Sequence, residues 1–215
     1  MEKNAAILMA DLTGYTAMTD VHGGASAAML VNKYMELVDN ALVGDSKVIQ
    51  RVGDQVVLLA DDANDIVETA KTLSSRVHSE HHFLSIHAGI HYGSVFIEKD
   101  GLFGSPINIA SRIMNLAEHG QILCSSDLVE KVDAEKHLCR HLGKFSFKNV
   151  MNEVSVYEII TDTQLLHFID PVCRMQIDPT RTKYIYYYKN QEYHFCGDQC
   201  LALFKSNPET FILKQ

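Results

Sequence analysis

The chain has 215 residues, long enough to bury one substantial core and a second small one. It is 47% hydrophobic and 21% charged with a mean hydropathy near zero, the composition of an ordinary folded protein. A net charge of −8 argues against a general nucleic-acid binder, which needs a basic surface to displace counterions, but leaves room for a small anionic ligand held by local cations and a divalent metal. No apolar run approaches the roughly 20 residues that cross a bilayer. The start, Met1-Glu2-Lys3-Asn4, lacks the basic-then-apolar pattern of an export signal. A cytoplasmic protein without membrane or nucleic-acid partners is expected.

Residues 5–11, AAILMAD, read as a buried strand closed by Asp11. SAAMLVNKYMELVDNAL has apolar residues at three- and four-residue steps, which predicts a helix starting near Ser26 after a His22-Gly23-Gly24 loop. Two β-type runs then flank Gly53-Asp54, a tight-hairpin dipeptide. ANDIVETAKTLSSRVHSEHH predicts a second amphipathic helix, and LSIHAGIHYGSVFIEKDG two strands with a turn at Tyr92-Gly93. SPINIASRIMNLAEHG is a third helix stopping at Gly120, QILCS a strand, and residues 125–132 a short helix. HLGKFSFKNV and EVSVYEII form a closing hairpin. Helices alternate with strands and hairpins, so the predicted class is α+β, a mixed or antiparallel sheet covered by helices.

The pattern breaks near Thr161–Phe168. The expected division is a first domain over 1–164 and a second over 165–215, built from DPVCRMQIDP, the tyrosine-rich hairpin KYIYYYKNQEYHF and the helix DQCLALFKSN. Five cysteines in a chain without an export signal do not suggest a disulfide framework. Cys124 and Cys139 sit in apolar segments and read as small buried hydrophobes. Cys173, Cys196 and Cys200 all fall in the last quarter of the chain and are a different case.

Asp11 ends an apolar strand and Asp54 sits on a hairpin that can lie beside it. Spacing alone leaves two readings open, a pair of turn carboxylates or two halves of a divalent-metal site. Small and hydroxyl residues follow Asp11 in LTGYTAMT, and their backbone N–H groups can cradle phosphate oxygens at Thr13, Gly14, Tyr15 and Thr16.

ILMADLTGYTAMTD, then VGDQVVLLADD, then GLFGSPINIASRI, in this order over roughly residues 5–160, resemble the class III nucleotidyl cyclases, the adenylate and guanylate cyclase catalytic domain. The resemblance implies a ferredoxin-like α+β domain working as a head-to-tail homodimer with its active sites at the interface. It implies that Asp11 and Asp54 bind Mg²⁺ or Mn²⁺, and that Asn108 and Arg112, on one face of a helix at i, i+4, act from the partner chain on a nucleoside triphosphate. Lys148 in FSFKNV resembles the family's late triphosphate-contacting lysine.

The base-reading positions depart from the family pattern. Adenylate cyclases carry a Lys four residues before the hairpin Asp and guanylate cyclases a Glu; here the residue is Gln50, whose amide both donates and accepts. The second reader is Gly101, with Asp100 one step away. These departures leave base preference open. They also admit an alternative: a catalytically silent sensor of nucleotide or metal that signals through an unknown partner.

DPVCRM, EYHFCGDQC and NPETF resemble the YHS domain, a relative of the TRASH metal-binding modules, over about 168–212. That likeness puts Cys173, Cys196 and Cys200 forward as ligands, with His194 as the fourth. Three thiolates favour Zn²⁺ or Cu⁺ over hard cations.

Overall fold

A computed structural model describes residues 1–98, 101–161 and 168–212. Its architecture is built around β1 (Glu2–Leu12), in which residues 5–10 are all buried. Ala6, Leu8, Ala10 and Leu12 face one core and Ala5, Ile7 and Met9 another, so an unbroken apolar run reports a strand covered on both faces.

The elements that follow are α1 (Tyr15–Ala41), the hairpin β2 (Lys47–Val52) and β3 (Gln55–Ala60), and α2 (Ala63–Ser79), whose N-cap Asp62 accepts from the Asn64 N–H. Next come β4 (Ile86–Glu98), β5 (Gly101–Phe103), α3 (Ser105–Leu116), β6 (Ile122–Ser125), α4 (Ser126–Val129) and the closing hairpin β7 (Cys139–Phe145) and β8 (Val154–Ile159). The strands form one sheet in the order β2-β3-β1-β4-β6-β8-β7, with β5 paired to β4. Every pairing is antiparallel except β4 with β6, which α3 joins by a crossover. Residues of α1 and α2 contribute to the first core and α3 to the second. The α+β expectation holds.

Several boundaries differ from expectation: α3 ends at Leu116 rather than Gly120 and α4 is confined to Ser126–Val129, and two larger differences concern the first helix and β4. The first helix begins at Tyr15 rather than Ser26, because Met18 is fully buried in the core and holds the early turns in place. The predicted His22-Gly23-Gly24 loop is a kink inside this helix, where Gly23 has φ 80° and ψ 167°. Likewise β4 runs straight through Tyr92-Gly93 as far as Glu98 and pairs antiparallel with β5, Glu98 opposite Gly101. Gly93 is there for space: a Cβ at that position would lie 2.7 Å from Pro106 Cγ.

Gly89 makes the same allowance more tightly. A Cβ there would lie 2.2 Å from the Met114 nitrogen and 2.4 Å from the Ala110 carbonyl oxygen, both backbone atoms of α3. Gly89→Ala is therefore expected to destabilise the first domain by about 3 kcal/mol, the upper end for overpacking. An unchanged denaturant midpoint would show that α3 does not sit this closely on β4.

The second domain has β9 (Phe168–Ile169) paired with β10 (Gln176–Ile177), the hairpin β11 (Ile185–Tyr188) and β12 (Gln191–His194), then α5 (Asp198–Ser206) and α6 (Pro208–Ile212). Its core is small: Val172, Cys173, Tyr193, Phe195, Cys200 and Phe204. It rests on the first domain. Gln176 N–H donates to the Phe83 carbonyl at 2.8 Å, and Gln199 Nε2 donates to the Val21 carbonyl at 2.8 Å. Among the described residues, no helix is long and apolar enough to cross a membrane. The expected boundary near residue 165 lies outside the described residues.

Candidate active site

Asp11 is the penultimate residue of β1, and Asp54 stands at the turn between β2 and β3, next to β1 in the sheet. The fold brings the two carboxyls together. Burial first, then a hydrogen bond to Asp11 and its negative charge, push the Asp54 carboxyl up to about 7, against the pull of the Asp54 and Leu12 backbone N–H groups. Two carboxyls this close require a shared proton or a cation between them. Their oxygens form the hard donor set that suits Mg²⁺ or Mn²⁺.

Tyr34 lies beneath them. It is completely buried on α1, and its hydroxyl has no hydrogen-bond partner among the described residues. Burial raises its pKa most, and the charges of Asp11 and Asp54 raise it further. In the sequence Tyr34 is one more apolar step of an amphipathic helix, and nothing in the spacing sets it apart.

Beyond Asp11, Gly14 takes a left-handed conformation, φ 90°, as the residue before α1. This helix start has no side-chain cap and no acidic residue in its first turn, so the Tyr15 and Thr16 end presents bare N–H groups. Thr13 is already engaged: its N–H donates to the Ser85 carbonyl at 2.8 Å, and its hydroxyl shares a 3.0 Å hydrogen bond with His87 Nδ1.

The other predicted residues lie elsewhere. Asn108 is exposed and Arg112 half-buried on α3, whose opposite side buries Pro106, Ala110, Ile113 and Met114. Asn108 lines a cleft of about 610 Å³ with His91, Ser105, Asp127 and Asn152; neither Asp11 nor Asp54 lines it. Lys148 is exposed in the β7–β8 turn, next to Asn149, which also lines that cleft. Gln50 is exposed on edge strand β2, at a bulge between Val48 and Gln50. Gly101 opens β5, and its neighbour Asp100 lies outside the described residues.

In the second domain Cys196 Sγ is 3.5 Å from both Cys173 Sγ and Cys200 Sγ. His194 does not join them. It stacks on Phe168 at 4.0 Å and turns Nε2 to Glu192 at 2.7 Å. The imidazole facing the thiols is His22, from the kink of α1, with Nε2 3.5 Å from Cys196 Sγ and 3.7 Å from Cys200 Sγ. Sequence reasoning missed it because His22 is some 150 residues upstream of Cys173 in the other domain.

A mixed sheet covered by helices, with paired carboxyls at a strand end and an uncapped helix beyond, defines an α+β domain with a candidate site at that strand end. Residues 1–161 match the adenylate and guanylate cyclase catalytic domain, and residues 168–214 match the YHS domain. The chain belongs to the adenylate and guanylate cyclase family and carries a C-terminal YHS domain. It is 26% identical over 161 residues to a pH-sensitive adenylate cyclase of Mycobacterium tuberculosis, covering 73% of this chain and 41% of that protein. It is 30% identical over 162 residues to a putative adenylate cyclase 3 of Rhizobium meliloti, covering 71% of this chain and 27% of that one. The chain thus spans less than half the length of these curated relatives. The crystal structure of the adenylyl cyclase CyaB from P. aeruginosa shares the fold, with a TM-score of 0.65 at 19% identity over 77% of this chain and 98% of that one.

Proposed function

We propose that the chain is a metal-dependent nucleotidyl cyclase that converts a nucleoside triphosphate to its 3′,5′-cyclic monophosphate and pyrophosphate at a homodimer interface. The observation that carries this reading is the pairing of the Asp11 and Asp54 carboxyls in front of an uncapped helix start. Two divalent cations held by these carboxylates would lower the pKa of the ribose 3′-hydroxyl and hold the triphosphate. The N–H groups at Tyr15 and Thr16 take phosphate oxygens, aided by the positive end of α1. The 3′-hydroxyl loses its proton to solvent as its oxygen attacks the α-phosphorus, forming one P–O bond while the bond to pyrophosphate breaks. Charge then grows on the phosphorus oxygens, and Asn108 and Arg112 of the second copy donate hydrogen bonds to them. The separation of the Asn108 cleft from the carboxyls within one chain supports a shared site. Lys148, at the rim of that cleft, adds a cation for the triphosphate.

Gln50 reads the base. Since its amide can donate to adenine or accept from guanine, Gln50→Lys is expected to shift the ATP-to-GTP turnover ratio toward ATP and Gln50→Glu toward GTP. Each shift should be on the order of tenfold, the worth of one hydrogen bond. Ratios unmoved by both changes would remove Gln50 from the base site.

The deciding experiment is turnover of ATP, GTP, CTP and UTP by purified protein in Mn²⁺ or Mg²⁺. Cyclic product establishes the cyclase. Nucleotide binding without product would establish the silent sensor instead, a reading favoured by Gly101, which has no side chain with which to read a base.

A further inference from the structure

The thiols of Cys173, Cys196 and Cys200 and the imidazole of His22 place their ligand atoms within 4.8 Å of one another. Zinc bonds of about 2.3 Å to sulfur and 2.0–2.1 Å to nitrogen require tetrahedron edges of roughly 3.8 Å between sulfurs and 3.5 Å from sulfur to nitrogen. The observed edges of 3.5 Å between sulfurs and of 3.5 and 3.7 Å from His22 Nε2 already approach that figure.

The surroundings hold these atoms in place. Cys173 and Cys200 are fully buried. Asp170, also fully buried, accepts the Cys173 N–H at 3.3 Å and the Val172 N–H at 2.8 Å on one oxygen and the Cys196 N–H at 2.8 Å on the other, so one side chain fixes two of the three thiol-bearing residues. Cys196 and Cys200 lie four residues apart, across the start of α5. On the other side, the break at Gly23 interrupts α1 next to His22, and the neighbouring Val21 carbonyl accepts from Gln199 of α5.

We propose that Cys173, Cys196, Cys200 and His22 bind one zinc ion, which fastens the YHS domain to the first helix of the cyclase domain. The donor set is that of closed structural zinc sites, three thiolates and one imidazole with no position left open. The small YHS core is of the size that needs such a staple. Here the staple also closes an interface, because its fourth ligand belongs to the neighbouring domain.

The test uses the full chain and no turnover, so its outcome is independent of the cyclase reading. Reduced protein is titrated with Co²⁺ as an optical probe and with Zn²⁺ in competition. The expected result is one Co²⁺ per chain, with thiolate charge-transfer bands and strong tetrahedral d–d absorption. His22→Ala should weaken Zn²⁺ binding by at least about 10–100-fold, a loss that removal of an outer-shell partner alone can cause, and should change the d–d bands. His194→Ala should change neither. His22→Cys should bind with charge-transfer intensity raised by about a third, four thiolates replacing three. Hydrogen exchange gives the second readout: Zn²⁺ should slow the amides of residues 15–30 in the wild type, but not in His22→Ala saturated through its thiolates. An unchanged affinity and spectrum in His22→Ala, no added intensity in His22→Cys, or helix exchange indifferent to Zn²⁺ would each overturn the proposal.

Discussion

Asp54→Asn is expected to lower cyclisation by about 10³-fold or more, because a lost metal ligand removes several kcal/mol of transition-state stabilisation. Metal-free Asp54→Asn protein should at the same time be more stable than metal-free wild type in base. The folded state raises the Asp54 carboxyl from 3.8 to about 7, so it holds that proton more tightly than the unfolded chain does. The resulting stabilisation is complete below about pH 4 and is lost as the pH rises through about 7. Undiscounted, the change is worth about 4 kcal/mol; with the side chain half exposed and screened by solvent, about 1–2 kcal/mol is expected. Thermal unfolding in chelator should therefore find Asp54→Asn more stable than wild type by that amount at pH 8 and equal to it at pH 4. Equal stabilities at pH 8 would mean that the carboxyls stand apart in solution. Undiminished turnover would return Asp54 to the part of a turn residue.

Mixing two dead variants should restore activity. Asp11→Ala lacks a metal carboxylate but keeps Asn108 and Arg112, while Arg112→Ala keeps both carboxylates. In a mixed dimer one of the two interfaces retains all four residues. Random assortment makes half of the dimers mixed, so recovery should reach about a quarter of the wild-type rate for a two-fold symmetric pair. Mixed dimers that form, as shown by differential tagging, yet stay inactive would exclude a site shared between chains.

The sequence exposed the candidate site motifs more readily than their setting. Asp11 and Asp54 drew notice because each punctuates an apolar run, but the cyclase resemblance was needed to pair them; α2 was legible because its apolar spacing is a local signal. Its weaknesses were at the glycines. Gly23 and Gly93 both read as places where the chain turns; one only bends a helix, and the other clears space for Pro106 in a continuous strand. A missing side chain signals a local conformation or a close neighbour equally well, and only the packing tells which. His194 and His22 show the same limit for ligands. Nearness in sequence favoured His194, whereas the side-chain directions on β12 send it to Phe168 and Glu192.

Gly14 lies where the two domains meet: a Cβ there would fall 2.3 Å from Arg174 Cβ. The residue that turns the chain from the Asp11 strand into α1 therefore has the YHS domain as its outer wall. A protein cut after residue 161 would not be a catalytic core relieved of an appendage. It would bare the carbonyls of Val21 and Phe83, withdraw Met175 from the larger core, and leave Gly14 free to adopt other backbone angles beside the carboxylates. Kinetic constants from such a fragment would describe a molecule with a loosened turn after Asp11, and assays of the proposed activity need the whole chain.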